Sequence, residues 1–180
     1  MLLHDPEIAM AKNSSKGGTL LLWKTQLDPY VLVYPVRTCS FTPIILRAPE
    51  AQVSIHIVLY LPTHGRYTEF VPELANLRIC IEELSELYPD SPFFIRGDSN
   101  VNKKNQTRVA LLDQFLNDFS LQRIPTNHNT YHNFVGDGLF DSDIDVLLLS
   151  SNRNISEEVD KIICKQENPF VISHHDIILS

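Results

Sequence analysis

The chain has 180 residues, of which 43% are hydrophobic and 21% charged, with a formal net charge of −7. Length and balance fit a single domain over 1–180 with enough chain to bury a core. They exclude a polybasic, sequence-independent polyanion binder, because that affinity comes from Lys and Arg neutralising phosphates. Phosphate chemistry stays open, since divalent cations can offset carboxylates at a site.

Leu20 to Trp23 and Val146 to Leu149 are strand-sized apolar runs, too short to span a bilayer, so no membrane association is expected. Met1 to Gly18 holds no basic segment followed by a long apolar stretch, and no secretory signal is read there. The three cysteines, Cys39, Cys80 and Cys164, are widely spaced and odd in number, which favours reduced thiols in an intracellular protein. Three matches to the glycosylation pattern, at Asn13, Asn105 and Asn154, are therefore read as chance.

Thr19 to Trp23, Tyr30 to Val36, Pro43 to Arg47 and Gln52 to Tyr60 read as strands. In the last of these Val53, Ile55, Ile57 and Leu59 alternate with Gln52, Ser54, His56, Val58 and Tyr60, the period of a strand with two different faces. Leu61 to Arg66 is a loop. Phe70, Leu74, Leu77, Ile81, Leu84 and Tyr88 then recur at spacings of four and three, which predicts an amphipathic helix ended by Pro89. Phe93 to Arg96 is a short buried strand, and a second helix is predicted over Thr107 to Phe119. Thr130 to Phe134, Asp143 to Ser150 and Ile177 to Leu179 are further strands. Many strands with two helices predict an α+β domain, a β-sandwich core with helices outside.

Three polar segments, each joined to an apolar run, carry the candidate chemistry: Gly97-Asp98-Ser99-Asn100, Ser142 to Ser150 with Asp145, and Ser173-His174-His175-Asp176. Sheets hold strand ends rigidly while loops leave them open to substrate. Gly97 to Asn100 also reads as a plain turn, since all four are turn residues. Asp145 is either a solvated strand end or a carboxylate that orients a histidine. His174 and His175 point to opposite faces if extended, so one of them is expected to face a site. His4, His56, His64, His128 and His132 are read as surface or satisfied core residues. Lys103, Lys104 and Arg108 form either a solvated loop or a set of backbone-phosphate contacts.

The order of these segments resembles the endonuclease/exonuclease/phosphatase superfamily, and among its members the AP-endonuclease-like domains of LINE-type non-LTR retrotransposons. Tyr60-Leu61-Pro62 matches the family's Tyr-x-Pro, Gly97 to Asn100 its Gly-Asp-x-Asn, and Ile144-Asp145 with Leu148-Leu149-Ser150 its Ile-Asp strand before Leu-Leu-Ser. Ser173-His174-His175 stands where the family ends in Ser-Asp-His, so His174 replaces an acid that helps bind metal. Gly17-Gly18-Thr19 and Thr130-Tyr131-His132 resemble the retrotransposon branch. The likeness runs from about Gly17 to the end. The family's first strands, one carrying Asn and the next ending in Gln-Glu, have no counterpart before Gly17, and the domain is expected to lack them. Leu2-Leu3-His4-Asp5 echoes the second, with Asp5 where the glutamate would be.

The resemblance implies a four-layer α/β sandwich of the deoxyribonuclease I-like type, two packed β-sheets flanked by helices, cleaving phosphodiesters with Mg²⁺ or Mn²⁺. Asp98 would orient and deprotonate the attacking water, and Asn100 would fix Asp98 or the phosphate. His175, held by Asp145, would neutralise charge on a non-bridging oxygen, and Tyr60 would contact the same phosphate. Asp98, Asn100, His174 and Asp5 are the implied metal ligands. The implied substrate is DNA, met through Lys103, Lys104 and Arg108 and nicked to leave a 3′-hydroxyl, in the nucleus, with a reverse transcriptase domain in the parent protein. Two alternatives stand beside it. One is an inactive or impaired fragment of such a domain with weak nucleic-acid binding, and the other a phosphoesterase for lipid or inositol phosphates.

Overall fold

The computed structural model describes residues 19, 21, 23–63, 66–124, 131–135, 138–142, 144–150, 162–164 and 177–179. A 3₁₀ turn, Thr25–Tyr30, leads into β1 (Val31–Val33), β2 (Phe41–Leu46) and β3 (Ser54–Tyr60). Helix α1 (Tyr67–Leu87) carries the chain to β4 (Phe93–Asp98), and α2 (Gln106–Asp118) leads to β5 (Leu121–Arg123). The remaining strands are β6 (Tyr131–Val135), β7 (Gly138–Ser142), β8 (Asp145–Ser150), β9 (Ile162–Cys164) and β10 (Ile177–Leu179).

Six strands form one sheet in the order β1-β2-β3-β4-β8-β5, and β6-β7 and β9-β10 form two antiparallel pairs. Within the sheet only β3 and β4 run parallel. A parallel pair needs a crossover rather than a hairpin, and α1 supplies it. That connection brings the C-terminal ends of β3 and β4 to one edge of the sheet. Because β8 runs antiparallel to β4, its N-terminal end arrives at the same edge.

The period-two pattern of β3 is realised: Ile55, Ile57 and Leu59 are buried, while Ser54, His56, Val58 and Tyr60 on the other face are half-buried. Register carries the buried face across the sheet through Phe41 and Ile45 of β2, Phe93 and Ile95 of β4, and Val146 and Leu148 of β8. Phe70, Leu74, Leu77, Ile81 and Leu84 of α1 and Leu112 and Phe115 of α2 join these residues in one apolar core. Each such side chain fully withdrawn from water contributes about 1.5–3 kcal/mol. The face predicted for the first helix is therefore the one that buries.

Three expectations need correction. Thr19, Leu21 and Trp23 lie in no strand, although Leu21 is buried. The strand read over Tyr30 to Val36 is only Val31–Val33, since Pro29 lies in the 3₁₀ turn and Pro35 has no N–H to donate to a ladder. Strand β5, paired with β8, was not expected; Leu-Gln-Arg offers three residues and no β-branched side chain. No helix among the described residues is long and apolar enough to cross a membrane.

Candidate active site at the β3–β4–β8 edge

Three of the predicted site residues fall in a single row. Tyr60, the last residue of β3, is the register partner of Asp98, the last residue of β4. Asp98 is in turn the partner of Asp145, the first residue of β8. Directly paired residues share a face of a sheet, so a phenol and two carboxylates stand side by side. Both carboxylates are largely withdrawn from solvent, each residue being 8% exposed. Tyr60 is half-buried, and its hydroxyl makes no hydrogen bond among the described residues.

Each member of Gly97-Asp98-Ser99-Asn100 has its own task there. Gly97 has φ +134°, and a Cβ on it would stand 2.0 Å from the Leu59 carbonyl oxygen, so only glycine lets β3 and β4 approach here. Asp98 Oδ1 accepts from the Asn100 backbone N–H at 2.7 Å, closing a side-chain-to-backbone turn. Ser99 is buried, and both its N–H and its hydroxyl donate to the Ile144 carbonyl, at 2.9 and 2.6 Å, which fixes the approach to Asp145. Asn100 sits at φ +51°, a left-handed conformation that asparagine tolerates. Its Nδ2 donates to the Leu61 carbonyl at 2.7 Å, leaving the side-chain oxygen as the end that can accept or ligate. The plain-turn reading of this tetrapeptide is thus also correct, because the turn is what aims Asp98 and Asn100.

The loop after β3 is tied to this corner from two sides. Leu61 N–H donates to the Asp98 carbonyl at 2.9 Å, extending the β3–β4 ladder past Tyr60. Arg108 Nη1 donates to the carbonyls of Pro62 and Asn100 at 2.7 and 3.2 Å, and Nη2 to that of Thr63 at 2.7 Å. Arg108 is fully buried, with its guanidinium 4.3 Å above the Phe70 ring. This overturns its reading as a phosphate contact: a side chain with no exposed surface cannot meet a DNA backbone. Lys103 and Lys104 are exposed in the turn just before α2, close in sequence to Asn100. Ser150, the end of the Leu-Leu-Ser segment, accepts from the Phe93 N–H at 3.1 Å and so clamps the start of β4.

His56 shares the half-buried face of β3 with Tyr60. Its ring stacks on Phe94 at 4.8 Å and 11°, and Nε2 lies 3.0 Å from Ser54 Oγ. Burial, with a smaller effect from the positive Arg96, pushes its pKa down to about 4 and keeps it neutral at pH 7. Cys80 lies on the buried face of α1, and its thiol is pushed up to about 12 by burial and then Glu83, so it is no nucleophile. Asp5, His174 and His175 lie outside the described residues, as do Thr130 and Ser173.

Among the described residues no three His, Cys, Asp or Glu side chains gather as a metal cluster. They supply instead the Asp98 carboxylate and the Asn100 amide oxygen, with Asp145 beside them in the same row. That set suits Mg²⁺, which binds through one or two carboxylates and retains several waters.

The fold, an α+β arrangement with a mixed six-stranded sheet and flanking helices, is like that of solved endonuclease/exonuclease/phosphatase proteins, in line with the resemblance to retrotransposon AP-endonuclease-like domains. The endonuclease domain of TRAS1, a telomere-specific non-LTR retrotransposon, matches 86% of the chain with TM-score 0.67 and 15% identity, and the chain covers 68% of that domain. An endonuclease/exonuclease/phosphatase family protein from Leptotrichia buccalis C-1013-b matches 84% of the chain with TM-score 0.52 and 14% identity; 60% of it is covered. At these identities the likeness is one of fold. No protein-family model and no curated protein matches the chain.

Proposed function

We propose that this chain is a metal-dependent phosphodiesterase that nicks DNA and leaves a 3′-hydroxyl, in the manner of a retrotransposon endonuclease. The observation that carries the reading is the row Tyr60–Asp98–Asp145, with Asn100 beside it, at one end of a sheet in a fold shared with the TRAS1 endonuclease domain.

Asp98 acts as the base that orients an attacking water and takes its proton, and Asn100 fixes Asp98 through its backbone N–H or meets the scissile phosphate through the second hydrogen of Nδ2. Asp145 serves as the carboxylate that holds the His175 imidazole, which then donates to a non-bridging phosphate oxygen as charge builds there. Tyr60 offers its hydroxyl to the same phosphate. Asp98 and Asn100 would hold Mg²⁺ or Mn²⁺, which would supply neutralisation of the charge that develops on phosphate oxygens. His174 and Asp5 are further candidate ligands. Lys103 and Lys104 meet the DNA backbone as exposed point charges. A nick with a 3′-hydroxyl would serve a reverse transcriptase domain in a longer parent protein, acting in the nucleus.

The test is nicking of supercoiled plasmid in Mg²⁺ by the parent chain, Asp98→Ala and His175→Ala. The expected result is relaxed circles from the parent and a loss of about 10²–10⁴ in rate in each variant. Equal cleavage by all three would sink the site assignment. No cleavage by the parent would sink the enzymatic reading and leave the impaired fragment.

A further inference from the structure

Arg108 occupies a costly place. It lies in the first turn of α2, where Asn105 caps the helix by accepting from the Arg108 N–H at 3.2 Å. A cation there sits at the positive end of the helix dipole, and full burial removes its hydration. A leucine or methionine would fill the same space against Phe70 without either penalty. What the arginine provides instead is a planar fork, and the fork spans two loops. Nη2 and one bond of Nη1 reach Thr63 and Pro62, in the loop leaving β3; the other bond of Nη1 reaches Asn100, in the loop leaving β4.

Those are the loops that follow Tyr60 and Asp98. They meet directly through Asn100 Nδ2 to the Leu61 carbonyl and Leu61 N–H to the Asp98 carbonyl. Arg108 stands behind these two bonds and holds both loops from the core side. We propose that Arg108 is a positioning residue: its buried guanidinium locks the loop after β3 to the loop after β4, and so sets where the Asp98 carboxylate and the Asn100 amide stand relative to a bound phosphodiester. This rests on the phosphodiesterase reading and deepens it. Lysine does not replace it, because an ammonium carries the charge without the fixed fork that reaches three carbonyls at once.

The experiment compares the parent with Arg108→Met and Arg108→Lys, and with Arg78→Met, which removes an ion pair to Asp118 and a stacking contact on Phe119 away from both loops, as a control. Amide hydrogen exchange is followed at Leu61 and Asn100 and, as core references, at Ile57 and Ile95. In either Arg108 variant that keeps a cooperative thermal transition, Leu61 and Asn100 are expected to exchange at least about tenfold faster while the core references stay within about threefold. Plasmid nicking by the same variants should lose about 10²-fold in kcat with KM within about threefold, the signature of misplaced rather than absent groups. Should Arg108→Met lose its cooperative transition, Arg108→Lys, which keeps the charge and most of the stem, carries the measurement.

Parent-like exchange at Leu61 and Asn100 would overturn the proposal, as would equal acceleration at the core references, which marks a general stability role. Loosened loops with unchanged kcat would also overturn it. A parent that does not nick DNA refutes the phosphodiesterase reading separately, and the exchange pattern still decides whether Arg108 locks the loops.

Discussion

Asp98 and Asp145 are direct register partners across the antiparallel β4–β8 pair, and both are largely buried. One step further along, the Ser99 N–H donates to the Ile144 carbonyl, which makes 99/144 a hydrogen-bonded site and 98/145 a non-hydrogen-bonded one. Side chains come closest at such sites, with Cβ atoms about 4.5–5.5 Å apart, and like charges directly opposite are destabilising. Register thus sets two carboxylates side by side at one end of the sheet, with Tyr60 next in the row.

Asp98→Asn and Asp145→Asn, each nearly isosteric, should therefore separate stability from activity. Both variants are expected to melt within about 1–2 kcal/mol of the parent, since each exchange keeps the side chain's size and its oxygen acceptor. Plasmid nicking should fall by about 10²–10⁴ in each. A fully active Asp98→Asn would mean that its carboxylate takes no part in the chemistry.

Gly97→Ala should be the most damaging small substitution in the site. The residue needs φ +134°, and the added methyl would stand 2.0 Å from a backbone oxygen that is fixed in the β3–β4 ladder. Backbone strain and the displaced strand together should cost about 3–5 kcal/mol. The check is a urea denaturation curve whose midpoint falls while its slope is kept.

Asn100 carries two separable properties. Its left-handed φ of +51° is better served by glycine, whereas its amide bond to Leu61 is lost in glycine and alanine alike. Asn100→Gly should stay near parental stability, and Asn100→Ala should fall below it by about 1–2 kcal/mol. Nicking should drop to a similar degree in both. If activity tracked stability across the two, the amide would be a turn element and no more.

How far the sequence could be read divides along physical lines. Periodicity located β3, α1 and α2, because alternation and the four-three spacing follow from which face is buried, as Ile55, Ile57, Leu59 and Phe70 to Leu84 show. The order of Gly97-Asp98, Ile144-Asp145 and Tyr60 pointed to the site, but their alignment in one row depends on the parallel β3–β4 pairing and on register, which are tertiary facts. Arg108 was misread for a similar reason. Next to Lys103 and Lys104 an arginine reads as part of a basic loop, and only the start of α2 at Gln106 turns it inward onto Phe70. The helix predicted from Thr107 already contains Arg108; what the sequence does not show is that its place in the first turn, just after the Asn105 cap, lies on the face turned to the core.

His56 makes the stability of the fold depend on pH in a defined direction. Burial, then Arg96, lowers its pKa from the usual 6.5 to about 4 in the folded chain. Between those values the unfolded chain binds the proton and the folded one does not, so acidification favours unfolding. This loss is absent above about pH 6.5, grows as pH falls towards 4, and levels off below. For one proton the slope cannot exceed about 1.4 kcal/mol per pH unit. His56→Phe keeps an aromatic ring to stack on Phe94 while removing the titration. Its unfolding free energy, measured in urea at pH 7 and pH 4.5, should fall less than that of the parent over the same interval. An identical fall in both proteins would show that the His56 ring is free to take its proton in the native state and that the acid sensitivity lies in other groups.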